Sequence, residues 1–257
     1  MTPSMVFHNG AILLCGGFYN QQKCVQLHHG TWNGHSTLNE RRVHHSAVTT
    51  QTATFLFGGE LSSKSYEYLP DGSTTWLKGK TEIPGGFWSG CAIAVKSDQE
   101  IWLIGGGVGT EKRILSFNVN DHTFKELPFR LNVGRRRTRC ALIPNTKKVI
   151  ITGGVGDDYH NSTEILDVEN GTVTIASPMN SERAGHGLGV LTFNGEDRLA
   201  VFGGFSGLKM LDSLETYNSQ TEKWERSDIK LNEPKWAFGF LTVKLSDIIS
   251  ELQCTNN

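Results

Sequence analysis

Nine histidines are the first residues to weigh, because imidazole serves both as metal ligand and as general base. Two adjacent pairs stand out, His28-His29 and His44-His45. Neighbours along a strand point to opposite faces, so neither pair can close on one metal ion there. A metal site would have to gather single residues from distant segments, with His44, His45 and His186 available for it. Asp157-Asp158-Tyr159-His160 places carboxylates and an imidazole in one short stretch, but with no second matched cluster it reads as a turn. These patterns lead to the expectation of no catalytic residue, no metal ligand and no cofactor.

Two further motifs test other chemistries. GGGVGTEK (105–112) is glycine-rich and ends in lysine, yet it lacks the GK[ST] ending of a phosphate-binding loop and leads into a strand-like run. The basic run Arg135-Arg136-Arg137-Thr138-Arg139 is too small a footprint for nucleic-acid recognition as the main role. Formal net charge is −1, so electrostatic recognition has to be local. Nucleic acid and membrane are therefore not expected partners.

Five cysteines, Cys15, Cys24, Cys91, Cys140 and Cys254, are odd in number and form no CxxC pair, which points to reduced core thiols rather than a disulfide framework or zinc site. The N-terminal stretch shows no basic leader or long apolar run, so the sequence reads as cytoplasmic. Two acceptor patterns, Asn161-Ser162-Thr163 and Asn170-Gly171-Thr172, would matter only in a secreted chain.

The elements that position these residues follow from glycine. Its 29 copies exceed the roughly 18 expected at average usage. Apolar runs end in a glycine pair at Gly16-Gly17, Gly58-Gly59, Gly105-Gly106, Gly153-Gly154 and Gly203-Gly204, a spacing of 42 to 50 residues. Each run is short and rich in β-branched and aromatic residues, the signature of a buried strand. Each doublet is followed by a spaced apolar pair: Val25 and Trp32, Tyr68 and Trp76, Phe117 and Phe124, Leu166 and Val173, Tyr217 and Trp224. Turn-forming stretches separate the partners, which predicts two outer strands per repeat. Short alternating segments upstream (44–50, 89–95, 138–144 and 185–191) supply an innermost strand, giving four strands per repeat.

Four antiparallel strands repeated at this period describe the blades of an all-β propeller. The doublets and the aromatic pairs, best kept in Tyr68…Trp76 and Tyr217…Trp224, resemble the kelch-repeat family, whose propeller the chain is expected to share over residues 1–245, with 246–257 as a tail. Five repeats are visible. Both SMVFHN (4–9) and AFGFLTV (237–243) read as innermost strands, so the segments also allow six blades in a longer chain. LPDGSTTW (69–76) is similar to the Asp-box of sialidase propellers, but its glycine comes one place early, and it fits better as the turn before Trp76.

Function in such a fold lies on its loops. Aligning the segments before the innermost strands places Arg42, Phe87, Arg136, Arg183 and Lys235 at equivalent positions, with Arg135, His186, Trp88 and Trp236 beside them. The loops after the doublets should reach the same face and present Tyr19, Tyr159 and Phe205. A basic face with aromatics suits an acidic peptide, since guanidinium groups bind carboxylates in a bidentate way. Equally, an arginine there can pair with nearby carbonyls. The resemblance implies a non-catalytic, monomeric protein-binding module, as in ubiquitin-ligase substrate adaptors or actin-associated kelch proteins. The alternative is a small-molecule enzyme, because some kelch-type propellers are copper oxidases, epimerases or iron-assisted proteins.

Overall fold

The computed structural model describes residues 3–193 and 195–243. Within them the chain is all-β, five four-stranded antiparallel blades of a β-propeller, each built in chain order. The first blade holds β1 (Ser4–His8), β2 (Ala11–Cys15), β3 (Lys23–His28) and β4 (Thr31–Thr37); the second holds β5 (Ser46–Thr49), β6 (Ala53–Phe57), β7 (Tyr66–Pro70) and β8 (Leu77–Lys78). The third holds β9 (Cys91–Val95), β10 (Glu100–Ile104), β11 (Ile114–Asn118) and β12 (Phe124–Glu126). The fourth holds β13 (Arg139–Leu142), β14 (Lys148–Thr152), β15 (Thr163–Asp167) and β16 (Val173–Ala176). The fifth holds β17 (Gly187–Phe193), β18 (Glu196–Phe202), β19 (Ser213–Asn218) and β20 (Lys223–Lys230).

Two compact units divide these blades. Among the described residues, one contains 3–88 and 239–243; the other is Ser89–Phe238. In the first, Val6 and Leu13 pack with Leu56, Leu69 and Trp76. In the second, β14 shows why the doublet runs are apolar without alternation. Val149 and Ile151 join Trp102, Ile104 and Ile114 on one side, while Ile150 joins Leu188, Val201 and Trp224 on the other. A strand packed on both faces has no polar side to offer.

The outer hairpins largely follow the spaced pairs. Phe117 faces Phe124, Leu166 faces Val173 and Tyr217 faces Trp224 directly across their ladders. In the first blade the register differs, with Leu27 opposite Trp32, because His29-Gly30 makes a two-residue turn with both φ positive.

Two expectations require correction. Residues 237–243 form no strand, although 4–8 do, so the described residues hold five innermost strands and no part of a sixth blade. The cysteines are not free thiols: Cys15 pairs with Cys24 across the β2–β3 ladder, and Cys91 with Cys140 between β9 and β13. Sheet register and blade alignment bring these residues together, and linear spacing could not show it. Cys254 and the 246–257 tail lie outside the described residues.

The arginines before the innermost strands are structural. Arg42, Arg135 and Arg183 are each 0% exposed. They bind Glu67, Glu164 and Glu215 at 2.9, 2.8 and 3.0 Å. Each also donates at 2.7 Å to the carbonyl of the first glycine in the doublet that follows it, Gly58, Gly153 or Gly203. The second carboxylate oxygen accepts from Asn39, Asn132 or Asn180, three residues before the arginine. Charge and hydrogen-bonding capacity are thus satisfied inside the fold. In the third blade the same two positions carry Phe87 and Leu115, each 1% exposed, so neither charge of the ion pair is present there.

Two buried histidines complete this layer. His186 donates or accepts through Nε2 with Thr152 Oγ1 at 2.8 Å, and its Nδ1 has no partner among the described residues. His45 has none for either ring nitrogen. Burial holds His45 down to about 3, and burial with nearby Arg139 and Arg183 holds His186 well below the ordinary imidazole value.

Arg135→Met alone should destabilise the chain by about 3–5 kcal/mol by stranding Glu164 as a buried charge, whereas Arg135→Met with Glu164→Leu should recover most of that loss. Urea unfolding of both variants with unchanged m-value reads this out; equal losses would show that the pair is not the cause. The histidines give a pH dependence of defined sign. Below pH 6.5 the unfolded chain takes up protons that the buried rings refuse, so stability falls with pH, by up to about 1.4 kcal/mol per unit for His45, until it titrates near pH 3. Melting curves at pH 7.5 and pH 5 should show the drop, and His45→Gln should flatten it.

Candidate functional site

The site is built where the doublets deliver the chain to the next blade. Both glycines of each doublet have positive φ, from 55° to 112°. A Cβ on Gly153 would collide with the Arg183 carbonyl, and one on Gly58 with the Phe87 carbonyl. Freed of that atom, the second glycine of each pair donates its N–H to the incoming segment: Gly106 to Arg135 O at 3.0 Å, Gly154 to Arg183 O at 2.7 Å and Gly204 to Lys235 O at 2.7 Å within Ser89–Phe238. These bonds fix the equivalent positions as Arg42, Phe87, Arg135, Arg183 and Lys235. Alignment of the sequence alone puts Arg136 in the fourth blade, one residue late, because the run of three arginines hides the register.

Beyond the doublets the loops fold back onto those same segments. Val155 bridges Arg136 and Tyr159; Phe205 bridges Ala184 and Met210. These two loops of Ser89–Phe238 therefore lie at the end of their blades where the entering segments run. There, Tyr159 and Phe205 meet edge to face with centroids 5.4 Å apart, and Phe205 meets Trp236 at 5.5 Å. Arg137 lies over the Trp236 ring at 5.3 Å. The three rings are half-buried. Leu208, 94% exposed, and Met210, 50% exposed, project from the same loop. Gly207 lies against Tyr159, where any Cβ would come within 2.9 Å of its ring.

The expected contact residues thus separate into groups. Tyr159, Phe205 and Trp236 come together, and exposed Lys235 adjoins Trp236. Arg136 is half-buried beside them in sequence. Arg42, Arg135, Arg183 and His186 are at 0% exposure and cannot present their side chains to a ligand, so the basic face expected from them is corrected: their charge is spent on internal glutamates, or, for His186, the ring is neutral. Tyr19, 83% exposed, and half-buried Trp88 belong to the other unit. Sequence reading missed Arg137 as the cation on Trp236, and Leu208 and Met210 as exposed apolar groups. Their signal was the apolar content of FSGLKM, unusual for a loop. The Asn-x-x-Arg and Ser-x-Glu patterns that mark the buried pairs, at 39–42 with 65–67, 132–135 with 162–164, and 180–183 with 213–215, were equally present.

The Asp157–His160 stretch is the turn it was read as, closed by Gly156 N donating to Asp158 O at 3.0 Å. Among the described residues no three His, Cys, Asp or Glu side chains gather in a way that could hold a metal ion.

No family model matches the chain, and no curated protein matches it. The kelch resemblance therefore rests on the residues quoted for it. Among solved structures, a fungal alcohol oxidase of the AA5 family in complex with copper matches with a TM-score of 0.72 at 16% identity, over 91% of this chain and 54% of its own. The chain thus spans about half the length of that oxidase. The match supports the propeller fold. It also corrects the expectation that this chain is no enzyme, since the fold it shares is carried by one. The residues do not fit copper, however. His186 has Nε2 engaged by Thr152 and lies among Arg135, Arg139 and Arg183, a setting that repels a cation.

Proposed function

We propose that the loop end of Ser89–Phe238 binds a polypeptide segment, seating an apolar side chain on Tyr159, Phe205 and Trp236 and a carboxylate beside Arg137 and Lys235. The observation that carries this reading is the continuous row of rings with Arg137 stacked on its last member. Rigid aromatic side chains lose little entropy on binding and bury large areas, which is why they anchor interfaces. A guanidinium placed over an indole gains cation–π attraction and keeps N–H donors that can bind a carboxylate. Leu208 and Met210 extend the apolar area, and Met adapts to irregular partners.

A second reading, catalysis on a small molecule at this end, is favoured by the alcohol-oxidase neighbour. The oxidase's copper is not carried over, for the reason given by His186 and its cationic neighbours.

Capture of binding partners by the wild type and by Phe205→Ala/Trp236→Ala, both of which alter half-exposed side chains and should leave the melting temperature within a few degrees, separates the readings. Loss of the same captured proteins supports the aromatic row; retained capture removes it. Purified chain incubated with copper and alcohols tests the second reading directly. Peroxide production with bound copper would establish the second reading in place of the first.

A further inference from the structure

We infer that this chain matures in an oxidising secretory compartment and carries an N-linked oligosaccharide on Asn170. The inference does not depend on the proposed ligand. Two observations converge on it: how the cysteines pair, and where the acceptor patterns fall in the fold.

Four of the five cysteines are joined in two bridges, one within a blade and one between innermost strands 49 residues apart in sequence. Cellular reductants keep cytosolic thiols open, so two structural bridges belong to an oxidising setting, in place of the cytoplasmic one expected from the sequence. Each bridge forms as two thiols give up two electrons and two protons to the compartment's thiol oxidant.

Such a setting makes the acceptor patterns meaningful, and the fold ranks them. Asn170-Gly171-Thr172 occupies the turn between β15 and β16. Asn170 and Thr172 are both exposed, and the Asn170 amide donates to Asp167 at 3.2 Å within the same turn. Gly171, at φ +67°, supplies the left-handed conformation that turns the chain. The whole pattern remains on the surface of the finished fold.

Asn161-Ser162-Thr163 differs. Asn161 is exposed, but Ser162 accepts from Arg135 through both its Oγ and its carbonyl. Thr163 is fully buried, and its hydroxyl accepts from Trp224 Nε1 at 3.1 Å. Glycan transfer needs that hydroxyl accessible, so folding of the fourth and fifth blades withdraws this acceptor. Transfer to Asn170 forms a bond from its amide nitrogen to the anomeric carbon of an oligosaccharide carried on a lipid diphosphate. The amide loses one proton and the lipid diphosphate leaves.

The test is mass mapping of the chain from its natural source, alkylated without reductant and then treated with peptide N-glycosidase. The expected result is a deglycosylation mark, Asn170→Asp, in the peptide containing the β15–β16 turn, together with linked Cys15–Cys24 and Cys91–Cys140 peptides. An unmodified Asn170 peptide, or alkylated thiols at those four cysteines, overturns the inference. Secreted from eukaryotic cells behind a signal sequence, the Asn170→Gln and Thr172→Ala variants should each lose one glycan mass, and Asn161→Gln should lose none. A glycan retained by Asn170→Gln would equally overturn the assignment.

Discussion

The passage of the chain from blade to blade is fixed by the hydrogen bond from a doublet's second glycine to the carbonyl of the segment entering the next blade. It requires two successive left-handed backbones and an approach too close for any Cβ. The carbonyl of the first glycine, in the second, fourth and fifth blades, accepts a buried arginine carried by the segment that enters its own blade. Each such segment is thus held by two doublets, the one before it donating to its backbone and the one after it accepting from its side chain. The entering segment is held from both sides before a single residue of the innermost strand pairs.

That arrangement reassigns charge. Arginines that would form a basic surface are neutralised by Glu67, Glu164 and Glu215, each braced by an asparagine. A buried ion pair is seldom a net gain over a well-packed apolar pair, and the third blade, with Phe87 and Leu115, lacks it. The loops themselves are pinned by backbone bridges to the segment that enters their own blade, Val155 to Arg136 and Phe205 to Ala184, and there Tyr159, Phe205 and Trp236 meet.

Much of the architecture was legible in the sequence because glycine's role is steric and local. Doublets, apolar runs and turn residues each report on a few neighbouring positions, and together they gave four-stranded blades in five visible repeats while leaving a sixth blade open. What failed was long-range or subtle. Arg135 and Arg136 are indistinguishable until a hydrogen bond selects one. Burial of Arg42 and Arg183 depends on glutamates 25 and 32 residues away. Cys91 and Cys140 meet through blade stacking. Residues 237–243 alternate as a strand does, yet they pair with nothing in a ladder, since period alone does not supply a partner. Tyr159, Phe205 and Trp236 could be picked out from their loops, but their contact with one another was not readable.

One thread of backbone bonds has a further consequence. Ser89, Arg137, Gly185 and Ala237 all sit in the left-handed region, and each amide after the first donates to the carbonyl of its predecessor: Arg137 to Ser89, Gly185 to Arg137, Ala237 to Gly185. Only Gly185 adopts that conformation without a steric penalty. The links run one way, and each joins residues about fifty positions apart. Arg137 and Gly185 each donate to one link and accept in the next, so displacing either one breaks two links at once. The thread thereby couples the entries to successive blades within Ser89–Phe238.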